Sequence, residues 1–349
     1  MKSTFGIDVG GTSVKLGMFS AAGDVLEKWE IPTRKENGGK EILPDIAKSL
    51  VDKIKAKGAD EVAGVGIGLP GPVDSAGIIR KAVNLNWDGT FSVPEALAKA
   101  LAEAGMGNAS ALTIKASNDA NVAALGETWK GGGQGYRDLI MVTLGTGIGG
   151  GVILDGKIWD GPVGSAGEIG HMHVEDEETL QCTCGNYGCL EQYASATGIV
   201  RLAERYFETH EPEGGFKKLM EHLVQEYPEY KRKNFRQIVE GLKPFSAKML
   251  FDLVRLEDPQ AKIIAETFGQ KLGKGLAAAA CVVNPEAFVI GGGVSKAGEL
   301  LFDYIVPYYK KYAFHACGNA DFKLATLGND AGIYGAAKLV LAGRDFSRN

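Results

Sequence analysis

Phe5-Gly6-Ile7-Asp8-Val9-Gly10-Gly11-Thr12-Ser13-Val14-Lys15-Leu16 and Leu139-Ile140-Met141-Val142-Thr143-Leu144-Gly145-Thr146-Gly147-Ile148-Gly149-Gly150-Gly151 open two copies of one device. Over residues 4–19 and 139–154, about 135 positions apart, an apolar strand runs into a glycine turn and a second apolar strand. Such a tip is either an ordinary hairpin turn or a set of backbone N–H groups, with the Thr12 hydroxyl, offered to a phosphate. It is not a Gly-x-x-x-x-Gly-Lys-Ser/Thr loop, because no helix follows directly. The repeat predicts two similarly built α/β halves, each presenting a phosphate-sized turn to a shared cleft.

The intervening chain alternates in the same sense. Helices are expected over 41–57, 93–104 and 120–130, and strands over 62–69 and 111–116. Further on, Thr197 is expected to cap a helix and residues 260–283 form a long alanine-rich helix. A strand at 287–290 then ends in Gly291-Gly292-Gly293, where open α/β sheets place nucleotides. A strand near 322–325 and a helix over 331–341 close the pattern. Residues 208–258 are polar and read as an inserted helical segment, with Lys231-Arg232-Lys233 as a solvated face.

The chain has 349 residues, more than one core of about 250–300 residues usually supports, so two domains are expected. A net charge of −5 argues against nucleic acid as the main partner. No apolar run approaches the roughly 18 residues of a membrane span, and the N-terminus lacks a signal-peptide pattern, so a cytoplasmic protein with no membrane partner is expected. The 49 glycines are about twice the usual share and read as functional turns.

Chemistry concentrates after the second device. Cys182, Cys184 and Cys189 are either inert thiols or, with His171, a Cys3His set that would saturate tetrahedral zinc with no open position, which would make the zinc structural. Cys281 and Cys317 read as packing residues in apolar surroundings. Glu168 and Glu191 flank the zinc loop; a glycoside-hydrolase acid pair is rejected, because phosphate turns have no job in a hydrolase. Asn118 and Asp119 follow a strand and start a helix, where they either cap it or do chemistry. Lys15 is either a charge partner for phosphate or a surface lysine.

Asp8-Val9-Gly10-Gly11-Thr12-Ser13-Val14-Lys15, Ser117-Asn118-Asp119, Leu144-Gly145-Thr146-Gly147, Gly167-Glu168-Ile169-Gly170-His171 and the Cys182-to-Glu191 run together resemble the ROK family of sugar kinases. The likeness runs nearly end to end, and Leu190-Glu191-Gln192-Tyr193-Ala194-Ser195 points to the family's bacterial glucokinases. It implies a two-domain actin-like, ribonuclease H-like ATPase fold of the hexokinase–actin–chaperone superfamily. Residues 1–118 would form a small α/β domain, with a helix over about 330–349 packing back on it. Residues 119–329 would form a large one, with the zinc loop at 171–189 and the insertion at about 208–258.

The resemblance also assigns roles. Asp119 is the general base in transfer of a phosphoryl group from ATP to the 6-hydroxyl of glucose. Gly71, Asn84, Asn118, Glu168, His171 and Glu191 hold the sugar with it. Asp8, Gly10, Gly11, Thr12 and Lys15 resemble the first phosphate loop, Gly145, Thr146 and Gly147 the second, and Gly291, Gly292 and Gly293 the adenosine loop. Asp8 would lie near a magnesium ion, usually through water. Another hexose or N-acetylhexosamine (N-acetylmannosamine, N-acetylglucosamine, allose, fructose) as substrate, or polyphosphate as donor, stays open. So does a homodimer or homotetramer. A sugar-responsive ROK regulator is disfavoured, since a first phosphate loop at residue 8 leaves no room for a preceding helix-turn-helix.

Overall fold

A computed structural model of the chain describes residues 2–57, 61–226 and 245–341. The first glycine device forms β1 (Lys2–Val9) and β2 (Ser13–Ser20), antiparallel, with Asp8 opposite Lys15. β3 (Val25–Pro32) pairs with β2, and β4 (Glu61–Leu69) runs parallel to β1. After a small ribbon of β5 (Ile78–Ile79) and β6 (Phe91–Ser92), β7 (Ile114–Asn118) joins β4 in parallel. The sheet order is β3-β2-β1-β4-β7.

The second device forms β8 (Leu139–Leu144) and β9 (Ile148–Leu154), followed by β10 (Lys157–Ile158), β11 (Ala287–Gly291) and β12 (Asp321–Leu324). Their order is β10-β9-β8-β11-β12. Each sheet therefore reads third, second, first, fourth, fifth among its own strands. The repeat expected from two short glycine-tipped hairpins extends to the whole strand order.

The strand β3 is absent from the sequence reading. Its inward positions are Val25, Glu27, Trp29 and Ile31, and a glutamate among them breaks the apolar alternation. Glu27 is accommodated by ion pairs to Lys53 and, at 3.2 Å, to Lys57, both on α1 (Ile42–Lys57).

The chain packs as two compact units: Met1–Met141 with Gly150–Gly167 and Ala325–Asn349, and Val142–Gly149 with Glu168–Leu324. In the first, Phe5, Ile7, Leu16, Val65 and Ile67 of the sheet are buried with Ile46 and Leu50 of α1 and Leu97 of α2 (Val93–Glu103). The expected break after residue 118 does not fall there, because α3 (Asp119–Lys130) belongs to the first unit. The physical reason is backbone proximity. The C-terminal helix (Ala331–Leu341) lies against α3 and β4 so closely that a Cβ on Gly335 would overlap the Val122 carbonyl oxygen, and one on Gly66 the Ala336 carbonyl oxygen. These glycines are packing positions, which corrects the reading of the glycine excess as turns.

The second unit contains α4 (Glu191–Ala194), α5 (Ala196–Tyr206), α6 (Gly214–Glu226), α7 (Ala247–Arg255), α8 (Pro259–Val283) and α9 (Leu300–Tyr312). In α8, the Asp258 carboxylate caps the start by accepting from the Ala261 N–H at 2.9 Å, and Asn284 ends the helix at φ 50. Ile264, Phe268, Leu272 and Leu276 form its buried stripe. The described part of the polar 208–258 segment contains α6 and α7; Lys231-Arg232-Lys233 lies outside the described residues.

Two local expectations are corrected. The cap of α5 is Ser195, not Thr197: Ser195 has the extended φ/ψ a cap requires, and its hydroxyl accepts from the Gly198 N–H at 2.9 Å. Cys281 is exposed, because the apolar stripe of α8 turns another face inward. Among the described residues, no helix is long and apolar enough to cross a membrane.

Candidate functional site

In the first unit the turn between β1 and β2 is closed by Gly10 N–H donating to the Ser13 carbonyl at 2.9 Å. Thr33 braces it from outside: its hydroxyl donates to the Gly10 carbonyl at 2.7 Å and its N–H to the Thr12 carbonyl at 3.0 Å. Sequence reasoning missed Thr33, because its partners in the turn lie 23 and 21 positions away in the chain. A Cβ on Gly11 would meet only the Asn84 carbonyl oxygen, at 3.8 Å, and the backbone there is not left-handed. Neither conformation nor packing demands a glycine at 11, so its bare surface remains available for close approach by a ligand.

Asp8 sits at the end of β1 against Gly332, where burial pushes its carboxyl up and Lys15, opposite on β2, opposes that shift. Lys15 Nζ also donates to the Asn329 carbonyl at 3.3 Å. Asp8 and Lys15 are thus register partners on neighbouring strands just below the turn.

Gly71, Asn118 and Asp119 come together. Gly71 is left-handed at φ 112, and its carbonyl accepts from Asn118 Nδ2 at 3.0 Å. Asn118 Oδ1 accepts from the N–H groups of Ala120 and Asn121 at 2.9 and 3.2 Å, so Asn118 performs the capping of α3. Asp119 is the first residue of that helix and accepts from the Ala120 N–H at 2.8 Å. Carboxylates in a first turn are favoured by the exposed N–H dipoles. Asn84 is exposed, in a short 3-10 turn at Val83–Leu85 beside Gly11.

In the second unit the turn after β8 is closed by Gly145 N–H donating to the Gly147 carbonyl at 2.9 Å, and the Gly145 carbonyl accepts from Ala196 at 2.8 Å. Glu191 packs against this turn, accepting from the Ile148 N–H at 2.9 Å; a Cβ on Gly147 would collide with its carboxylate. Glu168 is exposed, and its carbonyl accepts from the His171 N–H at 3.1 Å. At the end of β11, Gly292 is left-handed at φ 83 and presses on the Leu144 backbone, while Gly293 has nothing within 4 Å of where its Cβ would be.

The ligand atoms of His171, Cys182, Cys184 and Cys189 all lie within 4.8 Å of one another. Cys184 and Cys189 Sγ are 3.6 Å apart, and Cys182 Sγ is 3.8 Å from His171 Nδ1. A tetrahedron with metal–sulfur bonds of about 2.3 Å has edges of about 3.8 Å, so this donor set fits zinc in size as well as in kind. The loop is tied by Cys182 N–H donating to the Asn186 carbonyl at 2.8 Å and Gly185 N–H to the Cys182 carbonyl at 2.9 Å. Burial pushes the Cys189 thiol up to about 12, and loading a cation on that sulfur must displace its proton. With Nδ1 directed at the sulfurs, Nε2 of His171 is the nitrogen left to donate elsewhere. His173 stands apart from the set: Nδ1 meets the Tyr187 carbonyl at 2.9 Å and Nε2 meets Asp176 at 2.8 Å.

The pattern of the ROK family matches residues 4–342. A glucokinase from Halalkalibacterium halodurans is 38% identical over 339 residues, covering 96% of this chain and 94% of that protein. One from Thermotoga maritima is 34% identical over 345 residues, covering 96% of each. Among solved structures, a ROK family glucokinase from Streptomyces griseus in complex with glucose and AMPPNP aligns with a TM-score of 0.66 at 31% identity, covering 97% of this chain and 98% of that one. The two repeated sheets thus have the fold class of an actin-like, two-domain α/β kinase, and the chain belongs to the ROK family.

Proposed function

We propose that this chain is a glucokinase that transfers the terminal phosphoryl group of ATP to the 6-hydroxyl of glucose, giving glucose 6-phosphate and ADP. The observation that carries the reading is near-full-length identity of 34–38% to glucokinases. Phosphoryl transfer needs positioning and charge neutralisation more than covalent chemistry, and the residues described above supply both. Asp119 accepts the proton of the 6-hydroxyl. Asn118, Glu168, His171 and Glu191 hold the remaining hydroxyls, with Gly71 and Asn84 contributing to the same binding. The turns Gly10-Gly11-Thr12 and Gly145-Thr146-Gly147 receive phosphates through backbone N–H groups, and Gly291-Gly292-Gly293 lies along the adenosine.

Two ions belong to this reading. Magnesium brought with ATP would neutralise phosphate charge, and Asp8 with Lys15 is the pair that would face it. Zinc held by the Cys3His set would have four protein donors and no open position, so it would be structural, and with Nδ1 of His171 given to the metal, Nε2 would be left to donate to a sugar oxygen. We further propose that the protein works in the cytoplasm as a homodimer or homotetramer, which analytical ultracentrifugation would test.

The deciding experiment is a coupled ADP-release assay across a panel of glucose, N-acetylmannosamine, N-acetylglucosamine, allose and fructose, with ATP or polyphosphate as donor. Glucose with ATP is expected to give the highest kcat/KM. Turnover of an N-acetylhexosamine with none on glucose would overturn the substrate, and turnover with polyphosphate alone would overturn the donor.

A further inference from the structure

Three consecutive residues of α4 leave the helix in different directions, and each catches a different segment of the second unit. Glu191 reaches the Ile148 N–H beside the second phosphate turn. Gln192, only 2% exposed, accepts from the Cys189 N–H at 3.1 Å and donates to the Leu180 carbonyl at 2.7 Å. Tyr193, buried beside it, donates to Glu178, and the same Glu178 carboxylate accepts from the Leu180 N–H at 2.9 Å. Leu180 is therefore held on both sides, by Glu178 through its N–H and by Gln192 through its carbonyl. Leu180 and Cys189 bracket the loop that carries all three cysteines.

A helix of four residues has no stable orientation of its own, since nucleating a single turn is unfavourable and packing must hold it. The direction of Glu191 therefore depends on what its neighbours grip. We propose that Gln192 is a positioning residue that couples the Cys182–Cys184–Cys189–His171 loop to the helical turn bearing Glu191, so that metal retention and sugar affinity depend on the same two hydrogen bonds. The proposal rests on the reading of Glu191 as a ligand of sugar hydroxyls.

Gln192→Met keeps the volume and removes both bonds. Gln260→Met is a matched control: Gln260 is 8% exposed, accepts from the Glu213 N–H at 2.8 Å and donates to the Glu211 carbonyl at 2.9 Å, so it ties a different loop by the same chemistry. The full-length, zinc-loaded proteins are compared for glucose KM, ATP KM, kcat and the rate of zinc loss to a chromogenic chelator. For Gln192→Met, glucose KM is expected to rise about tenfold and zinc loss to accelerate roughly 10–100-fold, with kcat and ATP KM within about threefold of wild type. Gln260→Met leaves glucose KM and zinc loss at the wild-type values. Wild-type glucose KM and zinc loss in Gln192→Met would overturn the coupling, and so would equal changes in Gln260→Met. If the wild-type protein fails to phosphorylate glucose, the functional reading falls. Zinc loss accelerated in Gln192→Met alone would then still support the hold of Gln192 on the metal loop, and unchanged zinc loss would refute it.

Discussion

Replacing Arg205 with leucine is expected to destabilise the fold by about 3 kcal/mol, and the reasoning starts from one buried carboxylate. The side chain of Glu178 is 1% exposed, and that of Arg205 is 40% exposed. Arg205 donates to both carboxylate oxygens at 2.7 Å. Without the guanidinium, Glu178 would keep only the Tyr193 hydroxyl and the Leu180 N–H as donors. Removing one partner of a buried pair costs about 3–5 kcal/mol, and the partly hydrated guanidinium places this case at the lower end. The titration of Glu178 agrees in size. Burial alone would push its carboxyl up, but hydrogen bonds from Arg205 and Tyr193 outweigh that and hold it at about 2 instead of 4.5. That difference corresponds to about 3 kcal/mol, which is what all the donors together leave after the cost of burial is subtracted. Urea unfolding at pH 7 would compare Arg205→Leu, Glu178→Gln and the double variant. In the Glu178→Gln background the same arginine substitution should cost less than half as much, because a neutral amide needs no counter-charge. A cost for Arg205→Leu below about 1 kcal/mol, the range of an exposed pair, would refute the argument. So would equal costs in the two backgrounds.

The same carboxylate sets a pH dependence. Because its folded-state value lies below its unfolded value, its contribution is complete above pH 4.5 and lost as pH falls from there towards about 2; acid titration of stability should flatten over that range in Glu178→Gln. Asp119→Asn should fold like the wild type, with Asn118 still capping α3, and lose turnover by about 10²–10⁴-fold in the coupled assay; a wild-type rate would exclude Asp119 as base. Gly66→Ala should destabilise by about 1–3 kcal/mol, whereas Gly293→Ala, with open space at its Cβ, should leave the thermal midpoint unchanged and raise ATP KM; an unchanged KM would remove Gly293 from the nucleotide contact. Elemental analysis should find about one zinc per chain, and Cys184→Ser should lower that occupancy; free titration of all three native thiols would argue against the metal.

Much of the candidate site was legible because its signals are local. The Cys-x-Cys-Gly spacing brings thiols into one turn, an Asn-Asp pair after a strand marks a helix start, and glycine turns between apolar strands mark hairpins. Each pattern depends on residues a few positions apart, where chain connectivity already dictates proximity. The strand order of the first sheet escaped reading at β3, where Glu27 occupies an inward position and only lysines of α1 make that tolerable.

From the sequence alone came the ROK motifs, the alternation of strands and helices, and the ligand set for a metal. Only the tertiary structure separated the jobs of the glycines. Gly66 and Gly335 are identical in type to Gly11 and Gly293, yet the first two seat a helix against backbone from distant segments and the others face open space or a distant neighbour. It also decided that Asn118 caps while Asp119 is presented beside it, that Thr33 braces the first turn, and that Gln192 joins the sulfur loop to the turn of Glu191. Thr33 lies 23 positions from Gly10 and Leu180 lies 12 from Gln192, separations that no periodicity encodes. Packing of the assembled backbone creates the contact, and the residue's role exists only once that contact does.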